Sequence, residues 1–389
     1  MSKVAHTPQL RFPEFSGDWE EKKLSDISDV RDGTHESPKY VLDGFPLITS
    51  KNLLSNGSID FENINLVSEE DYTNINKRSK VDINDILFGM IGTIGNPVIV
   101  KETGFAIKNV ALIKQQKELL NKFMIFYLSG NSIAKQFYIE NTGGTQKFLA
   151  LGVIRSLKIK FPPDTEQQKI AAFLTAVDNK IEQLSKKQAL LGEYKKGLMQ
   201  QIFSQAIRFK ADDGSDFPDW EEKKLGGVGR IRKGSQLNKS ELTDTGDYPA
   251  INGGINPSGY TDKWNTGKNT ITISEGGNSC GYINFITSKF WSGGHCYSIE
   301  ELKGDVLNRF LFQYLKFNEY LIMRLRVGSG LPNIQKGEIN NFKVNLPSLE
   351  EQTKIANLLS SIDSKIEQVG KQLRESKQFK KALLQQMFV

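Results

Sequence analysis

The sequence predicts a mixed α/β chain in which two globular regions alternate with two long helices, built by internal duplication. Three observations carry that expectation. Residues 159–203 and 344–388 align without a gap at an offset of 185, with 19 of 45 positions identical. The lead-in Trp19-Glu20-Glu21-Lys22-Lys23-Leu24 returns as Trp220-Glu221-Glu222-Lys223-Lys224-Leu225 at an offset of 201, and Arg11-Phe12 is echoed by Arg208-Phe209. Each 45-residue segment also carries apolar residues at alternating spacings of four and three. Self-similarity of this kind marks one structural unit used twice. The units run over about 1–203 and 204–389, and the stretch between the repeated parts is 16 residues shorter in the second.

In chain order, residues 1–160 are read as the first globular region and 161–205 as the first long helix. Residues 206–345 form the second region and 346–389 the second helix. In the globular regions, short β-like runs such as Phe45–Thr49, Asp85–Met90, Val98–Lys101 and Ala111–Ile113 are punctuated by Gly, Asn and Asp. The second region offers Thr270–Ser274, Tyr282–Ile286 and Tyr297–Ile299. A helical stretch recurs at Asn121–Leu128 and Asn308–Leu315, and each is followed by a polar Gly-rich turn, 143–147 and 328–333. Both regions therefore read as one α/β fold with a diverged surface.

The long helices follow from their period. The first seam runs through Ile170, Leu174, Val177, Ile181 and Leu184, and the second through Ile355, Leu359, Ile362, Ile366 and Val369. Apolar heptads sustained this long predict a narrow seam against another helix. Pro162-Pro163 and Pro347 precede the helices, where proline cannot break them. A 40-residue helix extends about 60 Å at ~1.5 Å per residue. An antiparallel pair is expected, with an approximate two-fold relation between the units. Lys195 and Lys380 fall on the seam in both copies, either fixing register or reaching out to solvent.

Composition narrows the function classes. The 389 residues carry 51 Lys+Arg against 45 Asp+Glu, a net charge of +6 that permits an acidic partner without requiring one. No apolar run approaches a membrane span, Met1–Leu10 lacks a signal peptide's apolar stretch, and two cysteines fit a reducing cytoplasm. No phosphate-binding G-x-x-x-x-G-K-[ST] loop is present. Gly89–Gly95 reads as a turn. Pro218-Asp219-Trp220-Glu221-Glu222-Lys223 has nuclease-like letters, but its carboxylates are too close in sequence to come from separate strands. Cys280, His295 and Cys296 supply at most three metal ligands, so no metal site is expected. The chain reads as a binder with no catalytic residues of its own. The rivals are a coiled-coil adaptor with two protein-binding heads and an enzyme carrying its own nuclease or methyltransferase site, which the missing motifs disfavour.

Candidate readers of a nucleic acid cluster in both regions. In the first they are Arg31, Thr34, His35, Lys51, Asn52, Lys77, Arg78 and Lys80, with Thr145, Gln146 and Lys147 in the Gly-rich turn. In the second they are Arg230, Arg232, Lys233, Ser235 and Gln236, with Asn333 in the corresponding turn. Arg, Lys, Asn and Gln can contact base edges in pairs of hydrogen bonds, while Lys and Ser commonly hold phosphates.

Together these features resemble the DNA-specificity subunit of type I restriction-modification systems over essentially the whole chain. The resemblance rests on the tandem lead-in, on Asp85-Ile86-Leu87-Phe88 with Gly92-Thr93-Ile94-Gly95, and on Gly144-Thr145-Gln146. It rests above all on the Pro…Glu-Gln-x-Lys-Ile-Ala segments at 161–171 and 346–356, each opening a heptad helix. The resemblance implies two target-recognition domains, each binding half of a split double-stranded DNA target. The antiparallel helix pair would set the half-site spacing and dock two modification subunits. S-adenosylmethionine, ATP and Mg2+ would belong to those and to the restriction subunits, and none to this chain. Lengthening the first helix by four residues, ~6 Å, would then add roughly two base pairs at 3.4 Å each.

Overall fold

The computed structural model describes residues 7–116, 118–130, 133, 136, 148–328, 330 and 332–389. The chain divides into two compact units, Met1–Ser185 with Lys371–Val389, and Lys186–Gly370. Each unit therefore combines one globular region with parts of both long helices, a division that cuts across the linear parsing into four segments.

The first unit holds β1 (Glu20–Lys23), β2 (Val30–Asp32), β3 (Tyr40–Val41), β4 (Phe45–Thr49), β5 (Asn65–Val67), β6 (Ile86–Gly89), β7 (Gly95–Ile99), β8 (Ala106–Lys108), β9 (Val110–Ile113) and β10 (Lys158–Phe161). The main sheet is antiparallel in the order β2-β9-β6-β7. A second sheet, β3-β5-β4-β8, ends in a parallel β4/β8 pair. Apolar runs form β6 and β9 because the pleat sends alternate residues to two buried faces. Ile86, Phe88, Ala111 and Ile113 join the core that includes the long helices. Leu87, Val110 and Leu112 join a second cluster with Ile48 and Ile107.

The second unit repeats the plan with β11 (Glu221–Lys224), β12 (Arg230–Lys233), β13 (Tyr248–Ile251), β14 (Tyr260–Thr261), β15 (Thr270–Ser274), β16 (Ile283–Ile286), β17 (Trp291–Ser292), β18 (Cys296–Glu300) and β19 (Lys343–Leu346). Its main sheet is β12-β18-β15-β16, and the smaller sheet β14-β13-β17 again contains a parallel pair. Ile271, Ile273 and Ile299 face the main core, while Cys296 and Ile286 face a small cluster with Phe290.

The charged lead-in, which carries no strand signal of its own, is a strand in both units. Glu20–Lys23 pairs with Lys158–Phe161, and Glu221–Lys224 with Lys343–Leu346. Each pairing delivers the chain directly into a long helix, Asp164–Phe203 (40 residues) and Leu349–Gln386 (38 residues). The named seam positions are buried, apart from Val177, Ile181 and Ile366, which are half-buried.

Within each unit the two helix segments run in opposite directions. In the first, Leu10 N–H donates to Gln386 O near Arg11–Glu166, while Lys380 pairs with Asp178 at 2.6 Å. In the second, Lys195 pairs with Asp363 at 2.7 Å while Arg208 reaches Glu351. Asp178 and Asp363, like Lys195 and Lys380, are 185 apart, so the duplication made one ion pair twice. The seam lysines thus have specific partners.

The repeated Glu-Gln-x-Lys segment acts as a clamp. Glu166 accepts from Arg11 at 2.8 and 2.7 Å, and Glu351 from Arg208 at 3.3 and 2.9 Å. Gln167 donates to Pro162 O and Glu118 O and accepts from Leu120 N–H. Gln352 donates to Pro347 O and Asp305 O and accepts from Leu307 N–H. Lys169 pairs with Glu14 and lies over the Phe12 ring. Lys354 pairs with Asp212 and lies over the Phe217 ring. Buried amides and carboxylates with every partner supplied fix a unique geometry. The segment that carries the sequence resemblance therefore holds together the lead-in, the loop before a shorter helix (Asn121–Leu128 or Asn308–Phe317) and the long helix.

Candidate nucleic-acid interface

In both units a glycine ends the first strand of the main sheet, and its backbone makes the same contact. Gly33 N–H donates to Val110 O and Gly234 N–H to Cys296 O. A Cβ would stand 2.2 Å from Ile107 O at the first position and 2.2 Å from Gly293 O at the second. Only glycine permits so close a strand approach. The register therefore gathers three chain segments at one end of each sheet: the residues after β2, before β9 and after β6, or after β12, before β18 and after β15.

In the first unit this end is organised by Asp32, 4% exposed. Asp32 takes His35 Nε2 at 2.8 Å and pairs with Arg78 from the helix Glu69–Ser79. His35 Nδ1 meets Asn109 Oδ1 at 2.8 Å. These hydrogen bonds, first to Asp32 and then to Asn109, raise the His35 pKa against opposing effects of burial and Arg78. Arg31 pairs with Asp29 and donates to Arg78 O, so Arg31, His35 and Arg78 form one group. Lys51 is exposed next to Ser50, whose hydroxyl donates to Asn109 O and accepts from Met90 N–H.

Several candidates are occupied within the fold. Asn52 is buried: Oδ1 accepts from Thr49, and Nδ2 donates to Asp60 O and Asn63 O. It holds its own loop and leaves no amide for a base. Thr34 Oγ1 accepts from Glu36 N–H, and Lys77 donates to Asn74. Lys80 is exposed, 3.9 Å from Asp82. Thr145, Gln146 and Lys147 lie outside the described residues.

The second unit organises the same place around Glu275, also 4% exposed. Glu275 Oε1 accepts from Lys233 at 2.5 Å and from the Tyr297 hydroxyl at 3.0 Å. Its Oε2 is buried and lies 3.6 Å from His295 Nδ1. Burial pushes this carboxyl up, but hydrogen bonds from Lys233, Tyr297 and Asn333 outweigh it and hold the group below the usual glutamate value. Burial and the neighbouring carboxylate push Tyr297 the other way. Ser235 and Gln236 are exposed beside this group. Arg232 is committed elsewhere, to Glu300, Asn265 O and Thr266, and Arg230 pairs with Glu300 and Glu301.

Sequence reasoning missed Asn109, Glu275, His295 and Tyr297 as members of these groups. The offset between Gly33 and Gly234 (201) was the available signal, since it marks where the strand ends converge. Among the described residues no cluster could hold a metal ion, and no helix is long and apolar enough to cross a membrane.

The model of the type I restriction modification DNA specificity domain matches residues 16–191 and, a second time, residues 218–375. The chain belongs to this family. A type I restriction enzyme specificity subunit of Methanocaldococcus jannaschii, designated MjaX, is 29% identical over 95% of this chain and 93% of its own length. The MjaVIII specificity subunit of the same organism is 25% identical over 96% and 92%. The crystal structure of a type I system S subunit from M. genitalium aligns at a TM-score of 0.71, covering 98% of this chain and 99% of that one at 20% identity. Specificity subunits supply DNA target recognition and leave catalysis to partner subunits, and this chain shares that non-catalytic role.

Proposed function

We propose that each unit reads one half of a split, asymmetric duplex target through the end of its main sheet, and that the paired long helices set the distance between the halves. On this reading the chain comprises two target-recognition domains related by an approximate two-fold axis and joined by an antiparallel coiled coil. One observation carries the proposal: identical clamps support sheet ends whose side chains differ, Asp32 with His35 and Arg78 in one, Glu275 with Lys233 and His295 in the other. A shared scaffold with exchanged contacts is what two independent readers require.

Exposed basic side chains at these ends, His35, Arg78 and Lys51 in the first unit and Lys233 in the second, would meet phosphates or guanine edges. Two modification subunits bearing S-adenosylmethionine would dock on the chain and methylate adenine. ATP- and Mg2+-dependent restriction subunits would complete the assembly in the cytoplasm. Mapping methylated adenines in a host expressing the chain with its modification subunit tests the reading. A two-part motif with an unspecified gap is expected, and one contiguous motif would overturn it. Binding to random duplex at several salt concentrations adds a second check. Phosphate contacts predict a steep fall in affinity with salt, and a flat response would favour a protein-binding adaptor.

A further inference from the structure

The hairpin after β6 crosses the residues before Leu151 by one β-bridge, Ile91 opposite Phe148. Leu149 N–H donates to Met90 O at 2.8 Å. The pleat sorts these four residues. Met90 and Leu149 point into the core at 1% exposure each, while Ile91 and Phe148 face outward at 37% and 48%. The second unit builds the same bridge 185 residues later: Gly276 opposes Asn333, and Ile334 N–H donates to Glu275 O at 2.8 Å. Where the first unit presents two apolar side chains, the second presents a glycine and an amide.

The apolar pair adjoins the polar group described above. Ser50 accepts from both Met90 and Ile91 N–H and donates to Asn109 O, and Asn109 contacts His35. Ile91 and Phe148 thus sit on the same ordered sheet end as His35 and Arg78, anchored through backbone hydrogen bonds. In a base-reading surface, an apolar side chain has one sequence-specific partner in the major groove, the thymine C5-methyl. Both side chains are more than half covered by their own unit, a low patch suited to touching a methyl group rather than entering a base step.

We propose that Ile91 and Phe148 form a thymine-methyl contact that fixes one base pair of the half-site read by the first unit. The inference rests on the split-target reading above. The probe is a set of duplex oligonucleotides carrying the motif mapped by adenine methylation, with each thymine replaced in turn by deoxyuridine, which lacks only the methyl. Binding is measured for the full chain with its modification subunits, and exchange of residues 25–158 assigns the first half-site.

One first-half thymine is expected to weaken binding about fourfold when its methyl is removed, the effect of burying one such group. The double variant Ile91→Ala, Phe148→Ala is expected to bind the thymine and deoxyuridine duplexes equally. Its response to deoxyuridine in the second half-site should match that of the parent, which also reports an intact fold. Methyl-insensitivity throughout the first half-site, or sensitivity that persists in the double variant, overturns the contact while leaving the split-target reading standing. Failure of the parent complex to prefer its motif over random duplex overturns that reading itself.

Discussion

At the end of its main sheet the first unit sets Asp32, Asn109, Ile91 and Phe148, where the second sets Lys233, His295, Gly276 and Asn333. A few residues away the two units repeat the same ion pairs and amide contacts. Arg11–Glu166 is matched by Arg208–Glu351, Gln167 by Gln352, and Lys380–Asp178 by Lys195–Asp363. The difference teaches which residues are free to change. The Glu and Gln that close the clamp are buried and partnered, so removing either leaves a charge or amide without its match. At the sheet end, by contrast, Lys233 and His295 are exposed and Asn109, Ile91, Phe148 and Asn333 are at least partly exposed, with only Asp32 buried.

The comparison breaks most readily through exchange of residues 25–158 with the matching region of a relative. The expected outcome is complete replacement of one half of the methylated motif with the other half untouched. A change in both halves in methylation mapping would show that the units do not read independently. The next largest effect is on stability. Glu166→Ala and Glu351→Ala each leave a largely buried arginine without its carboxylate, and each is expected to cost about 3–5 kcal/mol. Chemical denaturation should find the two losses alike, and a large inequality would mean the clamps are not equivalent.

The legible and illegible parts of the sequence divide along the same line. The long helices stood out because a 3.5-residue period sustained over ten positions has no other cheap explanation. Buried strands such as Val110–Ile113 and Thr270–Ser274 announced themselves, the first as an apolar run and the second as a Thr/Ile alternation. The lead-in strands did not, because Glu20–Lys23 is held by its pairing with Lys158–Phe161 rather than by propensity. The helix Glu69–Ser79 also went unread, because its residues are mostly polar and carry no long apolar stripe. At the candidate site, residue type alone picked out Arg31, His35, Arg78 and Lys233. It also picked Asn52 and Arg232, whose hydrogen bonds are spent inside the fold. Asn109 and Glu275 were invisible because sheet register brings together positions that sequence separates.

Two smaller effects sharpen the comparison further. His35 has a raised pKa in the folded chain, so its contacts with Asp32 and Asn109 stabilise the first unit fully below the ordinary histidine value of 6.5 and lose strength as pH rises through the folded value. Urea midpoints measured across that rise should fall in the parent and fall less in His35→Gln. The second unit already carries glutamine, Gln236, at the position 201 residues on. An equal fall in both proteins would remove His35 from the account. The smallest effect belongs to the seam. Lys195→Met and Lys380→Met each remove a half-buried ion pair, and a change of at most about 1 kcal/mol is expected. Denaturation of each variant checks this, and a loss of several kcal/mol would make these pairs structural anchors.

The central claim is that two fixed readers are held apart by a helix pair of set length. One heptad inserted into both helices, after Ser185 and after Gly370, keeps the seam in phase and lengthens the pair by about 10 Å. Methylation mapping of that variant should show both half-sites unchanged and the gap between them longer by about three base pairs at 3.4 Å each. An unchanged gap, or altered half-sites, would contradict the account.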